Sequence, residues 1–163
     1  MLDLPFLLMD GLSAKATVSN HSSIIRVHYL NSSRHMNFHT RKWIKPEDLN
    51  PNKSLFGGKL LAWIDEEAAL YTIVQLENQH VVTKGMTEIN FMSSAYEGEI
   101  IEIGIKAVKF GKTSLTLKCI VRNMMTRETI ITIDSITMVN LNEDGIPTAH
   151  GKTKIEFIQD RLR

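Results

Sequence analysis

The 163-residue sequence has few of the features that mark secreted and membrane-spanning proteins. It contains a single cysteine, Cys119, which excludes an intrachain disulfide and fits a reducing compartment. No apolar run approaches the ~20 residues that are needed to cross a bilayer. The mildly apolar start, MLDLPFLLMDG, carries Asp3 and Asp10 where an export signal would be positively charged. We therefore expect a cytoplasmic protein without a membrane association.

Clustered positive charge and metal-ligand patterns are also missing. The formal net charge is +1, and no run of lysines or arginines occurs, which argues against a nucleic-acid binder because such proteins usually carry clustered basic surface. The histidines at or near the N-terminus are irregularly spaced, and no cysteine or carboxylate cluster accompanies them, so we expect no metal site. These histidines are His21, His28, His35 and His39.

The length fits a single domain with a substantial core. Residues 1–35 differ from the rest, because they are rich in Ser, Asn and His and lack sustained periodicity outside the short β-like run Ile24–Leu30. They are either an extension outside the fold, as an upstream start codon would produce, or a native N-terminal arm. We assign residues 36–163 to one domain.

The remaining pattern predicts an α+β domain with one long helix and an antiparallel sheet that wraps around it. Three- and four-residue spacing of apolar side chains predicts the helix from Gly57 to about Gln75, and further apolar positions predict that most of its surface is buried. The tail Thr153–Arg163 is a candidate for a short helix. The predicted strands are Phe38–Ile44, Val81–Phe91, Glu99–Phe110, Thr113–Asn123 and Thr129–Leu141.

An acidic residue, Asp65, stands in the middle of this otherwise apolar helix. An ionised carboxylate there is costly unless it is paired or solvated, so it calls for an explanation. The helix opens on Gly57 and Gly58, and backbone N–H groups at a helix N-terminus are suited to an oxyanion. A base and an oxyanion site on one element suggest a hydrolase. Gly58 and Asp65 are roughly 10 Å apart along the axis, so one carbonyl cannot easily reach both within one chain.

The segment NPNKSLFGGKLLAWIDEEAAL, residues 50–70, resembles the hotdog-fold acyl-CoA thioesterases, in the branch of the brain-type acyl-CoA hydrolases and their bacterial short-chain relatives. Members carry N-x-x-G-x-[LIV]-[FH]-G-G followed by an aspartate within two helical turns. Two departures stand out: Lys53 replaces the usual glycine, and Ser93-Ser94 replace the commoner Arg-Pro. At Lys53 we expect the loop backbone to differ or to use a less strained turn. The resemblance covers roughly residues 37–148, with further matches at Val81–Thr83, Phe91, Gly98-Glu99, Gly111–Ser114 and Asp144–Pro147.

The resemblance implies a hotdog fold with a five- to six-stranded sheet and an enzyme that releases CoA and a carboxylic acid without metal or bound cofactor. Asp65 would act as general base or as nucleophile, while the Gly58 N–H and Asn50 would polarise the thioester or orient water. These groups would meet across a subunit interface, in a homodimer that pairs its sheets edge to edge and assembles further as a trimer of dimers. The remaining substrate and CoA contacts would come from Phe56, Gly57, Thr83, Gly111, Lys112, Thr113 and Ser114.

Each of these residues also has a purely structural interpretation. Asp65 can be an exposed aspartate at a helix edge, Asn50 a loop or capping residue, and Gly57-Gly58 a pair that permits close packing. Thr83 can be an ordinary strand residue, and the hairpin of residues 111–114 an ordinary turn. Two other functions stay open as alternatives: a non-catalytic acyl-CoA sensor, and a hotdog dehydratase or hydratase, which the absence of histidine between positions 39 and 80 disfavours.

Overall fold

A computed structural model describes residues 36–155. The expectation for residues 1–35 lies outside this range, as does most of the predicted tail helix, whose first three residues, 153–155, are not helical. No helix of the described part is long and apolar enough to cross a membrane. Its elements are β1 (Phe38–Trp43), a 3-10 turn (Pro46–Asp48), α1 (Gly57–Leu76), β2 (Val81–Phe91), β3 (Ile100–Phe110), β4 (Ser114–Asn123) and β5 (Thr129–Asn140).

The five strands form one antiparallel sheet in the order β1-β3-β4-β5-β2. The two long hairpins β3–β4 and β4–β5 make its centre, while β1 and β2 are its edges. The predicted helix and all five predicted strands are confirmed to within two residues at each end. Apolar side chains spaced three and four residues apart in the helix, and the dense apolar and β-branched segments bounded by turn residues in the strands, explain this success.

Helix α1 packs on one face of the sheet, and the core lies between them. Its buried stripe includes Leu60, Ile64 and Ala68, which are at most 2% exposed. Apolar side chains of the central strands pack against this stripe, because successive side chains of a strand point to opposite faces of the sheet. The fully buried side chains of these strands include Ile101, Ile103, Leu115, Leu117, Ile131, Ile133, Ile136 and Met138.

The expectation that most of the helix surface is buried is wrong for the single chain. Leu70 and Val74 are 52% and 40% exposed, and Ala62 is exposed as well. A single sheet covers only one side of a helix, whereas the apolar stripe of α1 is broader than that side. Residues 36–155 therefore leave part of the apolar surface of the helix uncovered.

Two polar side chains, the thiol of Cys119 and the hydroxyl of Tyr71, lie in or beside the core. Cys119 is fully buried, and this burial, with a smaller contribution from the charge of Glu67, raises the pKa of its thiol. Where the β3–β4 register shifts after Ala107, the Ala107 N–H donates to the Tyr71 hydroxyl at 3.2 Å. Cys119 is thus a core residue, as its place on an apolar strand face predicts.

Candidate active site

The loop that precedes α1 is closed by the side chain of Asn50. Its Oδ1 accepts hydrogen bonds from the backbone N–H groups of Asn52 at 2.8 Å and Ser54 at 3.3 Å. Its Nδ2 donates to Ser54 Oγ at 3.0 Å, and its own backbone N–H donates to the Ser54 carbonyl at 2.8 Å. Asn50 therefore fixes the loop as an Asx turn and still has a second amide hydrogen for another acceptor.

The loop contains a strained residue at its tip. Lys53 has φ 63°, in the left-handed region, which costs a residue other than glycine about 1–2 kcal/mol. The expected less strained turn is therefore wrong, since lysine occupies a backbone conformation that favours glycine. Hydrogen bonds between Asn50 and Ser54 close the turn that contains Lys53 and stabilise its strained backbone.

A buried carboxylate joins this loop to the start of the helix. Asp48 accepts a hydrogen bond from the Lys45 backbone N–H at 3.0 Å, and Lys59 Nζ of α1 lies 3.5 Å from its Oδ1. The Asp48 carbonyl also accepts the Phe56 N–H at 2.9 Å. These contacts hold the Asn50 loop against the first turn of α1.

The N-terminus of α1 is uncapped by side chains. Its N-cap residue, Phe56, has no polar side-chain group that could accept from the N–H groups of the first turn, which also lack partners within the helix. The Phe56 ring lies over Gly58, because a Cβ at Gly58 would be 2.7 Å from Phe56 Cε1. Glycine here permits close approach of the ring and leaves the backbone near the surface. Both predicted roles of this position, close packing and access to the N–H groups, are compatible with the geometry.

Asp65 lies two turns further along α1 and is exposed. The Thr83 hydroxyl of the edge strand β2 donates to Asp65 Oδ1 at 2.6 Å, and the same hydroxyl lies 3.4 Å from Met138 Sδ. Hydrogen bonds to an ionised carboxylate are stronger than neutral ones, so this contact orients the Asp65 side chain. Thr83 thus contacts Asp65, the candidate base, from the neighbouring edge strand.

A pocket of about 380 Å³ opens beside the helix start. Asn50, Gly57 and Phe91 line it, together with residues 92–95 that follow β2. Asp65 and Thr83 do not line this pocket, and neither does Gly58, so the structure divides the predicted catalytic and substrate-binding residues near α1 into two groups. One group is Asn50 with the helix N-terminus, and the other is Asp65 with Thr83.

The hairpin of residues 111–114 lies at the opposite end of the sheet. The Thr113 carbonyl accepts from the Asn140 N–H at 2.8 Å, whereas the pocket touches Ile130. These two residues of β5 are about 30 Å apart at roughly 3.3 Å per residue. Gly111 and Ser114 close the turn, with the Gly111 N–H donating to the Ser114 carbonyl at 2.8 Å, and Lys112 is exposed. Within one chain, the structure does not bring the hairpin to the pocket.

The contribution of Ser93 and Ser94 to the pocket was not predicted from the sequence. Ser93 and Ser94 were singled out only as a departure from the family pattern, yet both line the pocket, and so does Ala95. Ser93 Oγ donates to the Thr129 carbonyl at 2.9 Å, which ties the segment to β5. The available signal was their position directly after Phe91. In residues 36–155, no three side chains of His, Cys, Asp or Glu are gathered as metal ligands would be.

The comparisons with known proteins give consistent results. The thioesterase superfamily pattern matches residues 52–129. An uncharacterized acyl-CoA thioester hydrolase of Buchnera aphidicola is 29% identical over 72 residues, which are 44% of this chain and 53% of that protein. The chain therefore spans about half the length of the curated relative it matches.

Solved structures match over a larger part of the chain. A hexameric acyl-CoA thioesterase without ligand is 32% identical, with a TM-score of 0.60 over 72% of this chain and 76% of that one. An acyl-CoA hydrolase from Staphylococcus aureus, solved with butyryl-CoA, CoA and CoA disulfide, is 25% identical, with a TM-score of 0.63 over 72% and 70%. That hydrolase has also been solved with an asparagine, an aspartate or a threonine replaced by alanine.

Proposed function

Because the chain belongs to the thioesterase superfamily and has the hotdog fold, we propose that it hydrolyses acyl-CoA to free CoA and a carboxylic acid. The observation that carries this proposal is the Thr83–Asp65 hydrogen bond of 2.6 Å, which holds an exposed carboxylate on the helix flank beside an edge strand. An exposed carboxylate oriented by one donor keeps its second oxygen for a water molecule.

The proposed reaction uses Asp65 as the general base. Asp65 takes a proton from water as the water oxygen bonds to the thioester carbon, and the carbonyl becomes an oxyanion. The Gly58 N–H and the second amide hydrogen of Asn50 stabilise that oxyanion. The tetrahedral intermediate then expels the CoA thiolate, which takes up the proton from Asp65. The products are the carboxylic acid and CoA, and the base is regenerated.

The edge strand β2 offers a way to bring the two groups of residues together in an assembly of two chains. We propose that two chains pair their β2 strands antiparallel about a two-fold axis, which covers a sheet edge that residues 36–155 leave open. This pairing sets the beginning of one β2, with Thr83, against the end of the other, with Phe91. Asp65 of the partner subunit then approaches the pocket of this chain.

The same pairing provides a place for the CoA nucleotide. The 111–114 hairpin lies at the sheet end where β2 begins, because Asn140 contacts Thr113 and pairs with Val81. The partner's hairpin therefore comes to the pocket end of this chain, where its exposed Lys112 suits a phosphate as a point charge. We propose that three such dimers associate, since the acyl-CoA thioesterase to which the chain is 32% identical is hexameric.

The alanine variants of the Staphylococcus aureus hydrolase support this choice of residues. In its sequence the replaced aspartate follows the asparagine at the spacing that separates Asp65 from Asn50. The replaced threonine follows at nearly the spacing that separates Thr83 from Asp65. The same three residue types in the same order thus recur in this chain.

Release of free thiol from acetyl-, butyryl- and palmitoyl-CoA tests the proposed function. A colorimetric thiol reagent serves here because the one cysteine of the sequence is buried with a raised thiol pKa and gives little background. We expect release from at least one substrate above the rate without protein. No release from any of the three, by protein of verified fold, would contradict the proposal.

An aspartate at position 50 separates the catalytic and structural roles of Asn50. Asn50→Asp keeps an acceptor for the Asn52 and Ser54 N–H groups but removes the amide donor. We expect kcat/KM to fall by about 100-fold, the usual cost of one lost oxyanion donor, while the melting temperature changes little. Asn50→Ala should lower both kcat/KM and the melting temperature. Asn52→Asp is the charge-matched control. Full activity of Asn50→Asp would show that Asn50 has only a structural role.

A further inference from the structure

The pocket beside the helix start is lined by partly exposed polar groups and by buried apolar side chains. Asn50 and the backbone of Gly57 are the partly exposed polar part, and the proposed function places the thioester carbonyl beside them. Leu55, Leu60 and Ile130 form the floor and are 8%, 2% and 3% exposed. An apolar group that enters past the carbonyl site would therefore reach tightly packed core residues and go no further.

The side chain of Phe91 forms one wall of the pocket and is not packed in the core. Phe91, the last residue of β2, lines the pocket and is 56% exposed. Its ring approaches the first residue of α1, because a Cβ at Gly57 would lie 3.3 Å from Phe91 Cε1 and Cζ. The ring therefore closes the space between strand end and helix start. Its exposure means that it can be shortened with little loss of core packing.

From this geometry we infer that the pocket holds the acyl chain and that Phe91 is a specificity-determining residue that limits chain length. The inference rests on the proposed function. The volume of about 380 Å³ lies within the ~300–1,000 Å³ typical of small-molecule sites, and the ring and the floor set how deep an acyl chain can enter. Phe91 and the floor together exclude longer chains.

The test is the ratio of kcat/KM for octanoyl-CoA to that for butyryl-CoA in wild type and Phe91→Ala. Removing the ring opens the wall toward solvent and the neighbouring subunit, so we expect this ratio to rise about tenfold or more, within the range that one or two methylene groups contribute. Tyr96→Ala is the matched control, because Tyr96 is 52% exposed, follows the same segment and does not line the pocket. Its ratio should equal that of the wild type.

A second measurement separates this inference from the proposed function. Calorimetric Kd values for non-hydrolysable octanoyl- and butyryl-CoA thioethers report the pocket without catalysis, and Phe91→Ala should shift their ratio in the same direction. If the wild type hydrolyses no acyl-CoA but the Kd ratio shifts, the hydrolase proposal fails and the acyl pocket stands. If Phe91→Ala changes kcat/KM by the same factor for both substrates, and Kd by the same factor for both thioethers, the pocket holds a part common to all acyl-CoA molecules. That result would overturn the inference.

Discussion

Replacement of Asp65 by asparagine is expected to lower kcat for acyl-CoA hydrolysis by about 100- to 10,000-fold, the range that a positioned general base contributes. Asparagine has nearly the same shape and still accepts the hydrogen bond from Thr83, but its amide cannot take a proton from water at neutral pH. Because Asp65 is exposed, the fold should be unaffected. Steady-state kinetics with the best substrate, beside thermal unfolding, measure both quantities.

The neighbouring carboxylate supplies the matched control for this variant. Glu66 is also exposed on α1, so Glu66→Gln removes the same charge one residue away. We expect it to keep kcat within about twofold of the wild type, since surface substitutions of this kind have small effects. Undiminished activity of Asp65→Asn would rule out Asp65 as base. An equal loss in Glu66→Gln would indicate a general effect of helix charge.

Mixed assemblies of two inactive variants are expected to regain activity. When Asp65→Asn and Asn50→Asp chains are coexpressed with different tags, each mixed dimer contains one site built from unaltered halves and one with both defects. Assemblies purified through both tags should therefore show between about a quarter and a half of wild-type activity, depending on how the dimers are distributed. The specific activity of doubly purified protein measures this against each variant alone.

The expected recovery rests on the proposed pairing of two chains. Asn50 lines the pocket with the helix N-terminus, while Asp65 is held by Thr83 of the edge strand. If both halves of a site came from one chain, mixing would restore nothing, because every chain would carry one defect. Coexpression of Asp65→Asn under both tags is the control and should stay at the residual rate.

The secondary structure was predictable because each element is periodic by itself. In β3 and β5, isoleucines recur at every second position over part of the strand, and in α1 apolar residues recur at three- and four-residue spacing. This spacing predicts the type of each element without knowledge of its neighbours. The extent of helix burial was not predictable in this way. Leu70 and Val74 extend the apolar stripe, but the pattern does not tell whether a strand of the same chain or a second molecule covers them.

The candidate site was only partly accessible from the sequence. The motif around Asn50 and Asp65 drew attention to both residues, yet the hydrogen bond from Thr83 depends on how β2 lies against α1, a contact 18 residues apart in sequence. The position of Lys53 in the left-handed region could not be foreseen, because the rule disfavours lysine there and the closed Asn50 turn overrides it. Pocket residues such as Ile130 come from a distant strand and carry no local signal.

If β2 pairs as proposed, its position at the sheet edge also bears on the fate of a chain that has not yet found a partner. This strand presents 11 residues of backbone at the sheet edge, and Lys84 and Glu88 are its only charges. Such an edge is a template for pairing with any exposed strand, and the cell removes chains that expose one through chaperones and proteases. A substitution that weakens pairing should therefore reduce the amount of protein in the cell before it reduces the turnover of the protein that remains.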